Sequence, residues 1–256
     1  MRDYAQEHRF RKAITPEARE AREKKRDAKN AVKIAAGEIA WSVGNRKLRK
    51  LGTIGFDIPA GVAKDRFNTC PAKGECAAWC FARQGFYVFP HVRAAHERNL
   101  AIVRGDLDRF VGLAVRDLTT RFRKIETVRV HDSGDFFSAP YLNAWFLVAK
   151  ACPEKRFYAY TKMFAKLAAT FAKTPPNFWI VQSFGGVDDA KVNLARPHAR
   201  VFVSHADRVM AGYVDGTETD RPAMDGVVKI GLVYHSGGRK LTDSQASALR
   251  VLPEAP

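Results

Sequence analysis

Several things are scarce or missing in this sequence of 256 residues, and each narrows what the chain can be. No apolar run approaches the length of a bilayer span, which leaves the membrane out as a partner. The N-terminus is charged and carries no apolar leader segment, so a cytoplasmic protein is expected. No G-x-G-x-x-G opens a helix, which weighs against a dinucleotide-binding fold. Cysteines number only four, too few for a disulfide scaffold in a chain of this size. Internal repeats are absent.

Acidic residues are also in short supply. The chain has 27 Asp and Glu against 43 Lys and Arg, a net charge of +16. Residues 1–50 hold 15 Lys/Arg against 7 Asp/Glu, half of that excess in a fifth of the length. Such an arm suits a phosphate backbone, DNA or RNA, with binding that weakens as salt rises. Thr15-Pro16-Glu17 reads as a helix start, with Thr15 as N-cap and Pro16 at the first helical position. The stretch to Ala36 is rich in Ala, Glu, Lys and Arg, and Arg46 to Lys50 forms a second basic knot. We therefore expect a basic helical arm over 1–50 and a catalytic domain over 51–256.

Hydrophobic residues make up 46% of the chain, ample for one substantial core. After Thr53, short β-rich runs alternate with helical stretches. Strands are expected at Thr53–Ile58, Thr127–His131, Arg156–Tyr160, Phe178–Ser183, Arg200–Ser204 and Val227–Tyr234. Helices are expected over Pro140–Ala151 and Met163–Lys173, with a short piece near Asp188. A loop, Gly212–Gly226, precedes the last strand. Strand–helix alternation with short connections implies parallel strands and right-handed crossovers. The predicted fold is α/β, an open or partial parallel βα barrel.

Three of the cysteines fall together, in Cys70-Pro71-Ala72-Lys73-Gly74-Glu75-Cys76-Ala77-Ala78-Trp79-Cys80. A helix beginning near Cys76 would put Cys76 and Cys80 on one face, with Cys70 reaching back from a Pro/Gly loop. Three thiolates at such a junction can hold three irons of a [4Fe–4S] cluster and leave the fourth open to substrate or cofactor. The alternative is zinc, with His91 or His96 completing a Cys₃His site. Cys152 stands apart and reads as a buried helix thiol.

A second motif is Val128-Arg129-Val130-His131-Asp132-Ser133-Gly134-Asp135-Phe136-Phe137-Ser138, a strand running into a polar turn. In parallel βα units the C-terminal strand ends carry the chemistry. His131, Asp132 and Asp135 are therefore candidate catalytic residues, whereas Ser138 before Pro140 reads as a helix cap. Later strands end in Tyr160-Thr161-Lys162, in Gln182-Ser183-Phe184-Gly185-Gly186 and in Ser204-His205-Ala206-Asp207. From these, Lys162 joins the catalytic candidates, and Thr161 and Ser183 join the candidate cofactor contacts. Together they describe one polar cavity.

The blocks CPAKGECAAWCFA, VRVHDSGDFFS and FYAYTK resemble the phage and plasmid family called gene product 88, over most of the chain after the arm. More loosely, the layout looks like a radical SAM enzyme, with three cysteines after the first strand and Phe81 beside the last of them. That resemblance implies a [4Fe–4S] cluster and S-adenosylmethionine, with Ser133, Gly134 and Asp135 in the place of the motif that holds the methionine amino group. The cysteine spacing departs from that family's common pattern, and Asp135 stands where it has Glu. A rival resemblance is to the transglycosylases that insert 7-deazaguanine bases, which carry an Asp-Ser-Gly-Gly-Phe motif similar to Asp132–Phe136. It implies base exchange with Asp132 catalytic and Asp188 or Asp189 as nucleophile. A third expectation is a nucleic-acid-binding accessory protein stabilised by a metal.

Overall fold

A computed structural model describes residues 15–43, 46–234 and 242–250. The first fourteen residues of the basic arm, and the side chains of Arg46 and Lys47 in the second knot, lie outside what is described.

Among the described residues eight strands form a single sheet. They are β1 (Trp41–Ser42), β2 (Thr53–Phe56), β3 (Thr127–Val130), β4 (Arg156–Thr161), β5 (Phe178–Ser183), β6 (His198–Phe202), β7 (Val214–Asp215) and β8 (Lys229–Val233). Their spatial order is β1-β2-β3-β4-β5-β6-β8-β7, parallel throughout except for β1 against β2. From β2 to β6 every step goes the same way. Crossovers of one hand that never reverse direction leave the long helices on one face, and the sheet is free to curl around the other. The result is an α/β fold with a mixed, mostly parallel sheet, open and barrel-like.

Helices α1 (Pro16–Ala35), α2 (Arg46–Lys50), α3 (Cys76–Trp79), α4 (Pro90–Gly105), α5 (Leu107–Thr119) and α6 (Ala139–Ala151) come first. They are followed by α7 (Ala168–Phe171), α8 (His205–Met210), α9 (Arg221–Met224) and α10 (Asp243–Arg250). Two of the starts are set by caps that the sequence announces. The Thr15 hydroxyl accepts from the Ala18 amide at 3.2 Å, and Ser138 accepts from the Tyr141 amide at 3.3 Å.

Strand side chains alternate between two cores. Val128, Val130, Phe157 and Ala159 face the helices and pack with Phe110, Leu142 and Trp145. Trp145 meets Trp41, Phe56 and Phe110 edge-on at 5.1–6.5 Å between ring centres. Burying each such side chain contributes roughly 1.5–3 kcal/mol. The other face presents Tyr158, Val181, Ala199 and Ile230, with Arg129 and Tyr160 nearer the strand ends. That concave face lines the cavity described below.

The basic helix α1 lies on the body through its polar and acidic residues. Asn30 donates to the Ala94 carbonyl at 2.5 Å, and Lys64 pairs with Glu23 at 2.8 Å and with Asp27 at 2.7 Å. Arg109 donates to the Ile34 and Ala35 carbonyls in the last turn of the helix. Arg22, Lys25 and Lys29 stay exposed. Further along, Ile39 and Leu48 are buried and β1 pairs with β2, so the chain joins the sheet before Thr53.

Some expectations shift. The helix expected over Met163–Lys173 is confined to α7, because the chain first turns to bury Met163, Phe164 and Leu167. The expected strand at Arg200–Ser204 begins two residues earlier, and Ser204 instead caps α8 by accepting from the Asp207 amide at 3.1 Å. The Gly212–Gly226 loop contains β7 and α9. Helices α4 and α5 fill the stretch between the cysteine loop and β3, where no element is expected from the sequence.

Candidate functional site

A cavity of about 850 Å³ opens at the C-terminal ends of the parallel strands. Its wall includes Cys70, Cys76 and Cys80, and its floor His131, Asp132, Ser133, Gly134 and Asp135. Lys162 and Ser183 come in from the ends of β4 and β5. Thr161, one of the candidate cofactor contacts, stands behind the wall, fully buried.

The cysteine loop is held over the end of β5 by its own backbone. The amides of Gly74 and Cys76 both donate to the Gly185 carbonyl, at 3.2 and 3.0 Å, and the Val187 amide donates to the Ala72 carbonyl at 3.1 Å. The approach is close enough that a Cβ on Gly74 would stand 2.7 Å from the Gly186 carbonyl carbon. Glycine at both positions is therefore a packing requirement. The helical turn α3 stops at Trp79, one residue before Cys80. The Cys70 sulfur accepts the Gly61 amide at 3.3 Å, and the Ala82 amide points to Cys80.

Burial pushes the Cys70 thiol up to about 12, with the Asp135 carboxylate adding to it. Burial raises Cys80 as well, with Cys76 adding to it. The three thiols thus lie within electrostatic reach of one another in a chain, Cys70 to Cys80 to Cys76. Among the described residues no three His, Cys, Asp or Glu side chains stand close enough to hold a single metal ion as they are placed. The donor chemistry fits a thiophilic centre: three sulfurs from one loop, two of them met by peptide N–H groups, share one cavity. His91 and His96 do not line it. His96 is buried beside Tyr87, and burial lowers it to about 4. Cys152 is buried in the main core.

The floor is a network of buried charges. Arg129 reaches Asp132 at 2.8 Å with one guanidinium nitrogen and Asp220 at 2.7 Å with the other. Tyr158 donates to Asp220 at 2.8 Å, the Tyr160 ring lies 5.4 Å from the Arg129 guanidinium, and Tyr87 donates to Asp132. Behind the turn sits Asp57, just past β2, accepting from the amides of Asp132 and Ser133 at 2.7 and 3.1 Å. Burial and the neighbouring Asp132 push the Asp57 carboxyl up to about 7.

The turn itself is strained. His131 adopts φ 67°, a left-handed conformation that is uncommon outside glycine. Its Nε2 lies 2.8 Å from the Tyr141 hydroxyl while its buried Nδ1 has no hydrogen-bond partner among the described residues, and burial lowers the ring to about 3. Gly134 has φ 87°, and a Cβ there would strike Ile58. Ser133 donates to the Ile58 carbonyl at 2.9 Å. Asp135 accepts from the Thr161 hydroxyl at 2.5 Å, from the Lys162 amide at 2.9 Å and from the Phe136 amide at 2.7 Å, so it ties β3 to β4. The Lys162 ammonium donates to Ser183 at 2.9 Å. Asp189 accepts from the Gly185 and Gly186 amides and Asp188 pairs with Lys191; neither lines the cavity.

Sequence reasoning passes over Asp57, Tyr87, Arg129 and Asp220. Asp57 ends a strand as Asp132 does, so the strand-end rule applied to β2 would have found it. Asp220 sits in a glycine-dotted loop and has no local mark.

The family model for Gene product 88 matches residues 17–249. The chain belongs to the Gene product 88 family. It is 26% identical over 163 residues to the Gene 88 protein of Mycobacterium phage L5, across 56% of this chain and 66% of that protein. No solved structure matches it. This is a phage-associated family, and among the described residues no helix is long and apolar enough to cross a membrane. The Gene product 88 match takes in every cavity residue named above, and the buried Asp57 behind the turn as well.

Proposed function

We propose that this Gene product 88 protein is an enzyme that holds a [4Fe–4S] cluster on Cys70, Cys76 and Cys80 and acts on a nucleic acid or nucleotide. The observation that carries the reading is that all three thiols face the same cavity as Asp132 and Lys162. A structural metal would be closed off by a fourth protein ligand, and the histidines offered by the sequence stand elsewhere. When bound, such a cluster supplies an electron and an open coordination position.

The chain's own residues account for the rest. Lys162, fixed on Ser183, places a positive charge near Cys80 and favours the thiolate form that a metal needs. Asp132, held by Arg129 and Tyr87, offers a carboxylate acceptor in fixed orientation at the cavity floor. Lys50, Lys73 and Arg83 on the wall suit a phosphate-bearing substrate, and the exposed cations of α1 add sequence-independent phosphate contacts. S-adenosylmethionine, as a second ligand, would have to bind on the open side of the three cysteines. The Ser133–Asp135 turn offers it little, because the Ser133 hydroxyl and the Asp135 carboxylate are already engaged.

A second reading, base exchange through Asp132 with zinc as the metal, is favoured by the buried Asp57 beside that carboxylate. The two readings part on substitution. In the cluster reading, Cys70→Ser, Cys76→Ser and Cys80→Ser each lose bound iron, while Cys152→Ser keeps it. Loss of nucleic-acid processing in Asp132→Asn with full activity in Cys76→Ser would favour base exchange. Iron unchanged in all three cysteine variants would sink the first reading.

A further inference from the structure

Immediately after Cys80 the chain makes two turns of 3₁₀ helix, Phe81–Arg83 and Gly85–Val88, before α4. This segment exposes apolar surface that the fold does not use. Phe86 is 77% exposed, Phe89 43%, Phe81 40% and Val88 36%. The rings are organised. Phe86 and Phe89 meet edge-on at 5.3 Å, Phe89 and His91 lie 5.9 Å apart, and Phe81 meets Tyr87 at 5.7 Å.

The rings lead inward. Phe81 lines the cavity mouth and Tyr87 lines its wall, with the Tyr87 hydroxyl on Asp132 at the floor. Cations accompany them: Arg83 is exposed at the mouth, and Lys73 and Lys50 line the same cavity. Exposed apolar rings gathered in one patch mark an interaction site, and their flat faces suit a flat partner that stacks on them. Flat groups joined by a regular negative charge describe an unpaired polynucleotide. Stacking on aromatic rings beside a basic groove is how single strands are held without sequence preference.

From this arrangement we infer that the Phe81–Phe89 segment is a docking platform for single-stranded DNA, feeding an unstacked base from Phe86 and Phe89 past Phe81 into the cavity. The outermost side chains, Phe86, Val88 and Phe89, carry no hydrogen-bonding group to read a ribose 2′-hydroxyl, so a deoxyribose strand forfeits no contact on this platform. Duplex DNA keeps its base faces covered and would meet only the cations. The inference rests on the nucleic-acid part of the proposed function and does not depend on which metal the cysteines hold.

The test is anisotropy of a short fluorescent oligodeoxynucleotide, single-stranded and as a duplex, titrated with the full-length protein across a range of salt. Wild type is expected to bind the single strand more tightly than the duplex. Phe86→Ala with Phe89→Ala should lower single-strand affinity by roughly tenfold or more, leaving the salt slope and the duplex affinity unchanged. Arg83→Ala should instead reduce the salt slope by about one, and both proteins should keep wild-type metal content. Equal loss on single strand and duplex would overturn the inference, as would wild-type binding by the double phenylalanine variant. Binding to anionic phospholipid vesicles without binding to the oligonucleotide would also overturn it. A metal-loaded protein that ignores the single strand sinks the platform and leaves the cluster assignment standing.

Discussion

The Tyr87 hydroxyl donates to the Asp132 carboxylate, which ties the aromatic segment after Cys80 to the polar turn at the end of β3. Motion of the segment is thereby coupled to the orientation of the candidate acting carboxylate. Removing the hydroxyl leaves one Asp132 oxygen without its buried donor. Tyr87→Phe should lose about 1–3 kcal/mol in a denaturant titration. An unchanged midpoint and slope would mean that the hydroxyl contributes nothing net.

Arg129 is the counter-charge for both Asp132 and Asp220, and all three are largely out of water. Such an arrangement is costly to break from one side, since the survivors are left charged and desolvated. Arg129→Met should cost roughly 3–5 kcal/mol, seen as a large fall in melting temperature or loss of soluble protein. Adding Asp132→Asn and Asp220→Asn to it should recover much of that loss. No recovery would show that Arg129 acts by packing rather than by charge.

Asp57 gives a pH signature of definite sign. Its carboxyl ionises at a higher pH in the fold than the ordinary 3.8, because burial and Asp132 disfavour the charge. Through the window from 3.8 up to about 7 the folded state therefore holds more protons than the unfolded one, and this group's contribution to stability falls as pH rises. Asp57→Asn keeps an oxygen for the amides of Asp132 and Ser133 but cannot titrate. The melting temperature of the variant should fall less than that of wild type across this window. His131 and His96, both lowered by burial, act with the opposite sign in both proteins and cancel in the comparison. Parallel profiles would contradict the shift at Asp57.

The contact between Gly74 and Gly186 places the cysteine loop. Gly74→Ala forces a Cβ against the Gly186 carbonyl carbon and should destabilise the protein by about 1–3 kcal/mol while lowering bound metal. Gly105→Ala, at the end of α4 with open space around it, should lower neither stability nor bound metal. Equal metal content in both variants would detach the loop's position from metal binding.

What could be read from the sequence was local. Strands β3, β4 and β5 are short runs rich in β-branched and aromatic residues, and their polar ends mark where parallel units gather their side chains. Thr15 and Ser138 announce their helices because a cap bonds only a few residues ahead. The partners of the site are of another kind. Asp57 meets Asp132 from 75 positions away and Asp220 meets Arg129 from 91, separations that no local pattern encodes. The polar groups of the Ser133–Asp135 turn read as free ligands in the sequence, yet the fold engages them with Ile58, Thr161 and Lys162. Helix α1 reads as a basic arm from its charge, while Glu23 and Asp27, a minority in it, hold it to Lys64.

Elemental analysis of protein purified without oxygen reads directly what Cys70, Cys76 and Cys80 hold. A [4Fe–4S] cluster on these thiols gives a brown protein with about four irons and about four acid-labile sulfides per chain, both lost in Cys76→Ser. A colourless protein with stoichiometric zinc, or one with no bound metal, would contradict it.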